Sequence, residues 1–238
     1  MRIKAVLLDF GDTLVGFERF DYDACLRELH GALLRDGVAL PYEDFKRVYF
    51  EVRDRLYRET EDSLEEHNFC LRVSEALKRF GHTFDPSDHS IVSAVEAFMR
   101  LLIDSVAMDK QVPAVLKLLN QRYKLALVSN FGYPQTIIQL LNKFDLIGFF
   151  DAICVSGQVG WRKPSPKIFQ KALNALGVAP SEAVFVGDAP YHDIQGAKRM
   201  GMKTVLVKKG SAEGDVNSGS PDKIISGIEE LPQTLSEL

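Results

Sequence analysis

Residues 5–14, AVLLDFGDTL, decide how the rest of the chain is read. Ala5 to Leu8 form a continuous apolar run that stops at Asp9. Such a run suits a parallel sheet covered on both faces, and residues 3–8 are read as its first strand. Open α/β sheets bind ligands outside the carboxyl ends of their strands, so a carboxylate at this point is placed for chemistry. A second carboxylate, Asp12, follows Gly11. Residues three apart point to opposite faces of an extended strand but share a face on a helical turn. Asp12 is therefore either an acid working beside Asp9 or a residue suited to an unusual backbone conformation. Gly, Asn and Asp tolerate that conformation best. The backbone reading is preferred, and Asp12 stays among the candidate catalytic residues.

Working outward, the same strand pattern recurs at Lys124–Val128, Asp151–Val155, Ala183–Val186 and Lys203–Val207, and more weakly at Lys223–Ile225. Helical stripes lie between: Val112, Val115, Leu116 and Leu119; then Ile137, Ile138 and Leu141; then Ile168, Phe169, Ala172 and Leu173. Ser165-Pro166 is a helix start, a capping hydroxyl followed by proline at the first helical position. Strands alternating with helices predict an α/β core with a doubly wound, Rossmann-like parallel sheet, over residues 1–15 and 106–238. Residues 16–105 carry no strand pattern. Four amphipathic helices are expected there. One runs from about Asp21 to Arg35 and stops at Gly37. A second carries Phe45, Val48, Tyr49, Val52 and Leu56. A third carries Phe69, Cys70, Val73, Leu77 and Phe80 and is closed by Gly81. The fourth starts at Asp85-Pro86 and carries Ile91, Val95, Phe98, Met99 and Leu102. Together they read as a four-helix bundle inserted into the α/β core. Val15–Gly16 and Ser105–Lys110 are read as its hinges, and residues 210–220 as a surface loop.

The chain has 238 residues, 46% hydrophobic and 26% charged, with a formal net charge of −4. That balance argues against a nucleic-acid binder held by bulk charge. Three scattered cysteines, Cys25, Cys70 and Cys154, read as reduced, buried thiols of a cytoplasmic protein. The apolar run before Asp9 is too short for a membrane span or signal peptide, so no membrane partner is expected.

Polar residues gather where strands end: Asp9, then Ser129-Asn130, then Asp188 with Asp193 close behind, and Lys163 in GWRKPSP. Each alone has a plain structural explanation as a cap, a turn or a solvated lysine. In this order, at strand ends, they read as one site. Two carboxylates ~4 Å apart repel by roughly 4 kcal/mol at an effective dielectric of 20. Several ionised together demand a cation. Mg²⁺, a hard ion content with one or two carboxylates plus waters and phosphate, is the expected one. A carboxylate nucleophile, a metal, a lysine and a small hydroxyl donor suit phosphoryl transfer.

LLDFGDTL, LALVSN, GWRKPSPKIF and VFVGDAPYHDIQGAKRMGM resemble, in order, the four motifs of the haloacid dehalogenase-like hydrolases. The insertion just after the first motif resembles their helical type of cap. The resemblance implies a phosphatase acting through an aspartyl-phosphate on Asp9. Ser129 would hydrogen-bond the phosphoryl oxygens, Asn130 would join it in binding substrate, and Lys163 would steady Asp9 and the phosphate. Mg²⁺ would sit on Asp9, Asp188 and the backbone carbonyl of Gly11, with Asp193 supporting the metal or Lys163. One departure stands out. Thr13-Leu14 fix the alignment, so the family's second aspartate, its general acid and base, is Gly11 here.

That departure keeps other chemistries open. A haloacid dehalogenase needs neither the acid nor Mg²⁺, but it lacks the GDxxxxD arrangement that this chain carries. A phosphonatase needs a Schiff-base lysine in the cap, where Lys46 and Lys78 are available. A weakly active phosphate-binding protein would have no use for a nucleophile. The expected substrate is a small phosphorylated metabolite. Phe17, Phe20 and Tyr22 follow the first motif and are read as packing residues before they are read as specificity residues. A monomer is expected, with a dimer as the alternative.

Overall fold

The computed structural model describes residues 2–17, 20–208 and 220–238. These form two compact units, Met1–Phe17 with Ala107–Leu238, and Glu18–Val106. In chain order the elements are β1 (Ala5–Leu8), β2 (Val15–Gly16), α1 (Tyr22–Arg35), α2 (Tyr42–Glu59), α3 (Phe69–Lys78) and α4 (His89–Ser105). Then come β3 (Ala107–Met108), α5 (Val112–Asn120), β4 (Lys124–Ser129), α6 (Pro134–Lys143), β5 (Ala152–Val155), α7 (Ser156–Val159) and α8 (Pro166–Leu176). The chain finishes with β6 (Ala183–Gly187), α9 (Gly196–Arg199), β7 (Lys203–Val207), β8 (Lys223–Ile225) and α10 (Leu231–Ser236). The loop expected at 210–220 lies outside the described residues, apart from Ser220.

The first unit is built on a six-stranded sheet in the order β5-β4-β1-β6-β7-β8. Every pairing in it is parallel. The chain lays β4 and β5 on one side of β1, then returns to place β6, β7 and β8 on the other. This is the doubly wound, Rossmann-like order expected of continuous apolar strands, and its reversal point is the place where such sheets bind ligands. Leu8 pairs with both Leu127 and Val186. Asp9, Ser129 and Asp188 therefore leave the sheet within two residues of the same level. Helix α8 starts as its sequence dictates: Ser165 Oγ accepts the Lys167 N–H at 3.4 Å, and Pro166 follows it. Its apolar face sits on the sheet, with the Phe169 ring edge-on to Phe185 at 5.2 Å.

A second, two-stranded sheet was not legible in the sequence. β2 and β3 pair antiparallel, Val15 with Met108 and Gly16 with Ala107. Two residues per strand carry no measurable alternation, so no periodicity announces them.

The second unit is all helix. α1 begins at an Asp21 side chain that accepts the Ala24 N–H at 3.1 Å, and Gly37 beyond its end takes a φ of +85°. Its interior is aromatic. Phe69 and Phe98 lie 5.0 Å apart, and Tyr22 stands edge-on to Phe98 at 5.1 Å. The Tyr22 and Tyr49 hydroxyls are hydrogen-bonded at 2.7 Å. Arg72, buried with them, donates to Tyr49 Oη at 3.4 Å. One expectation is corrected: α4 starts at His89, not at Asp85-Pro86. Asp85 Oδ1 accepts both the N–H and the hydroxyl of Ser87, at 2.8 and 2.6 Å, and Asp88 Oδ2 accepts the Asp85 N–H at 2.7 Å. These side chains lock a turn in competition with the helix, which begins only after it.

Phe169 is fully buried in the sheet unit. Phe169→Ala should cost about 3–5 kcal/mol of unfolding free energy, since a cavity replaces the ring. Denaturant unfolding should show a lower midpoint at unchanged slope. A loss below about 1 kcal/mol would contradict this packing.

Candidate active site

The turn after β1 is set by Phe10, whose carbonyl accepts the N–H groups of Leu14 and Val15 at 2.9 and 3.2 Å. The chain winds helically here, so residues four apart meet. Thr13 Oγ lies 3.3 Å from Asp9 Oδ2 and 3.4 Å from Asp188 Oδ1, with one proton to give. The Asp9 N–H donates to the Val186 carbonyl at 2.9 Å and ties the turn to β6. Asp12 sits in this turn at φ +55°, in the left-handed region. The backbone alone accounts for an Asp at that position.

Lys163 lies outside any helix or strand, between α7 and α8, and is 2% exposed. Its Nζ is 2.5 Å from Asp9 Oδ1 and 2.7 Å from Asp193 Oδ1. Asp193 sits in a wide helical turn, Pro190–Gln195, and its other oxygen accepts the Ala189 N–H at 3.0 Å. Wide turns of this kind recur at functional sites. The Asp193 carboxyl packs so closely on Gly187 that a Cβ there would overlap it.

Asp9, Asp188 and Asp193 can each offer an oxygen within 4.8 Å of the others'. Lys163 offsets only one of the three charges. Burial pushes Asp9 up from the ordinary 3.8 to about 6; Lys163 pulls against it and Asp193 adds to it. Burial, then the charges of Asp9 and Asp193, push Asp188 up to about 7. Burial also works against the Lys163 ammonium, but Asp193 and Asp9 outweigh it and hold the group above its usual range. A cluster of hard oxygen donors with excess negative charge fits a divalent ion such as Mg²⁺.

These groups line a cavity of ≈310 Å³. Asp9, Gly11, Asp12, Ser129, Asn130, Lys163, Asp188 and Asp193 all reach it, so the structure brings every candidate site residue together. Ser129, at the end of β4, is 4% exposed. The Asn130 amide is engaged with the main chain of Lys163: Oδ1 accepts the lysine N–H at 2.6 Å, and Nδ2 donates to its carbonyl at 3.0 Å. Two further wall residues stand out. His192 was not picked from the sequence; its Nδ1–H donates to the same Lys163 carbonyl at 3.1 Å. The only hint was its place beside Asp193 in GDAPYHD. Phe17 covers Gly11, where an added Cβ would meet the ring at 3.2 Å. Phe17 is therefore a wall of the cavity, while Phe20 and Tyr22 pack on each other 5.8 Å apart. In the helical unit Lys46 pairs with Asp23, and Lys78 pairs with Glu75 at 2.5 Å.

The sequence model of the haloacid dehalogenase-like hydrolases matches residues 46–207. The chain belongs to that family. It is 30% identical to glyceraldehyde 3-phosphate phosphatase of Pyrococcus furiosus over 100% of this chain and 93% of that one. It is 31% identical to the protein of the same name from Methanopyrus kandleri, covering 99% and 98%. Among solved structures, a 2-haloacid dehalogenase from Pseudomonas syringae pv. Tomato DC3000 superposes with a TM-score of 0.71 at 26% identity, over 99% of both chains. In this family member no described helix is long and apolar enough to cross a membrane.

The raised carboxylates set a pH dependence. Folded Asp9 and Asp188 keep protons that the unfolded chain releases near 3.8. Their contribution to stability is present below that pH and is lost as pH rises through about 6 and 7. In chelator, the calorimetric midpoint of thermal unfolding should fall between about pH 5 and 8, and fall less in Asp188→Asn. A midpoint that rises over this range, or an identical fall in the variant, would contradict the assignment.

Proposed function

We propose that this phosphoric monoester hydrolase is a Mg²⁺-dependent, cytoplasmic phosphatase of small phosphorylated metabolites, working through an aspartyl-phosphate on Asp9. The observation that carries the reading is the Lys163 ammonium buried between Asp9 and Asp193, with Asp188 beside them and, among the described residues, no basic side chain paired with it. Asp9 attacks phosphorus, the bond to the leaving oxygen breaks, and the phosphoryl group is carried on the carboxylate. Water then attacks phosphorus and frees inorganic phosphate and Asp9. Lys163 pulls the Asp9 carboxyl toward its ionised form against the effect of burial and offsets phosphoryl charge in a desolvated site. The Ser129 hydroxyl donates to a phosphoryl oxygen. Mg²⁺, held by Asp9, Asp188 and the Gly11 carbonyl with Asp193 in support, would neutralise charge on the phosphoryl group. The helical unit Glu18–Val106 is the cap that selects among substrates.

Three observations weigh on the alternatives. Both candidate Schiff-base lysines of a phosphonatase are paired with carboxylates. The excess carboxylate charge serves no purpose in a metal-free dehalogenase, although one structural neighbour is named a 2-haloacid dehalogenase. A binding protein has no need of a carboxylate aimed at a cavity. The relatives make phosphorylated three-carbon sugars the first esters to try. The Gly11 site narrows the choice, since among the described residues, its chain neighbours aside, only the Phe17 ring, which cannot protonate a leaving group, lies within 4 Å of an added Cβ there. Such an acid is typically worth about 10²–10⁴-fold. Esters with acidic leaving groups, such as aryl and acyl phosphates, are therefore favoured.

In a screen of phosphate esters, turnover should need Mg²⁺ and vanish in Asp9→Asn, which keeps the shape and removes the charge. Full activity in that variant, or after metal stripping, would overturn the mechanism. Asp12→Asn should change turnover of p-nitrophenyl phosphate and of alkyl phosphates by less than about 3-fold. A drop of two or more orders of magnitude on alkyl phosphates alone would make Asp12 the acid.

A further inference from the structure

We propose that Asn130 and His192 are positioning residues for Lys163: they hold its main chain so that its ammonium arrives between Asp9 and Asp193. The proposal rests on the reading of Lys163 as the charge-stabilising group. Lys163 has no strand ladder to fix its backbone, and Pro164 after it brings no N–H. Its two main-chain polar groups are instead taken up by side chains. A carboxamide offers the same donor and acceptor pair as a peptide unit. Asn130 uses both, at 2.6 Å to the lysine N–H and 3.0 Å to its carbonyl, and so makes a strand-like bridge from one side chain. His192 Nδ1–H takes the carbonyl's remaining lone pair at 3.1 Å.

The origin of the two clamps matters. Asn130 follows Ser129 at the end of β4, and His192 precedes Asp193 in the turn after β6. The lysine is thus registered against the same two strand ends that present the phosphate-binding hydroxyl and the acidic cluster. Lysine carries a flexible four-carbon stem, so a fixed ammonium needs a fixed backbone. Phe185 supports the other end, with Nζ 5.3 Å from its ring centre. Misplacing a reacting group by about 1 Å can cost about 10²-fold. On this account Asn130 acts through Lys163 rather than by binding substrate, although it lines the cavity.

A double-mutant cycle on p-nitrophenyl phosphate with Mg²⁺ tests this. Asn130→Ala should lower kcat by about 10–100-fold and leave KM within about 3-fold. In a Lys163→Ala background the same substitution should cost less than about 3-fold. Asn130→Asp, of equal shape but unable to donate, should lose at least as much kcat as Asn130→Ala. If Asn130→Ala fails to fold by circular dichroism, His192→Ala, which removes one of the three bonds, carries the same cycle. An equal loss with and without Lys163 would overturn the proposal and leave the phosphatase reading standing. So would a raised KM at unchanged kcat, the mark of a substrate ligand. A Lys163→Ala enzyme of full activity would overturn both.

Discussion

One buried ammonium organises this site. Lys163 is enclosed between Asp9 and Asp193, and stripping either partner from a buried pair typically costs about 3–5 kcal/mol. The arrangement requires three separate parts of the chain to meet: the end of β1, the loop before α8 and the turn after β6. The sheet order makes that meeting possible, because β4 and β6 flank β1 and end at nearly the same level. The pair leaves a third carboxylate, Asp188, close to Asp9 and Asp193, and among the described residues no basic side chain is paired with it. Ion pairing inside the protein and the fit of the cluster to a divalent ion both follow from one excess of negative charge.

The two residues after Asp9 and Phe10 show how backbone demands shape the turn beside the cavity. Gly11 presents only backbone to the cavity, and the ring of Phe17 occupies the room beside it. Asp12 holds a left-handed conformation in the same turn. Asp9, Lys163 and the acidic cluster thus share the cavity with an aromatic ring set against Gly11. On the proposed mechanism, hydrolysis depends on how readily the leaving group departs.

Strands β1, β4, β6 and β7 were legible because burial on both faces writes itself as continuous apolar runs. The four helices of the second unit and α5, α6 and α8 of the first were legible from apolar stripes and from signals such as Ser165-Pro166 and Gly37, whereas the short α7, α9 and α10 were not. Asp9, Ser129 and Asp188 stood out as polar residues at strand ends, and Lys163 and Asp193 joined them through motifs in the order of a known family. Other features had no such trace. The β2–β3 ribbon is too short for a period, and the Asp85 turn replaces a helix start with side-chain hydrogen bonds that composition cannot distinguish from a cap. The clamp of Asn130 and His192 on Lys163 joins residues about thirty apart in sequence through main-chain atoms, which no residue pattern encodes.

Titration calorimetry of metal-free protein with Mg²⁺, repeated in two buffers of different ionisation heat, tests the charge imbalance most directly. The account predicts one ion bound per chain at neutral pH. Protons should be released as Asp9 and Asp188 give up those they hold, and Asp188→Asn should lose the binding. Absence of binding at millimolar Mg²⁺, or unchanged binding in Asp188→Asn, would contradict it.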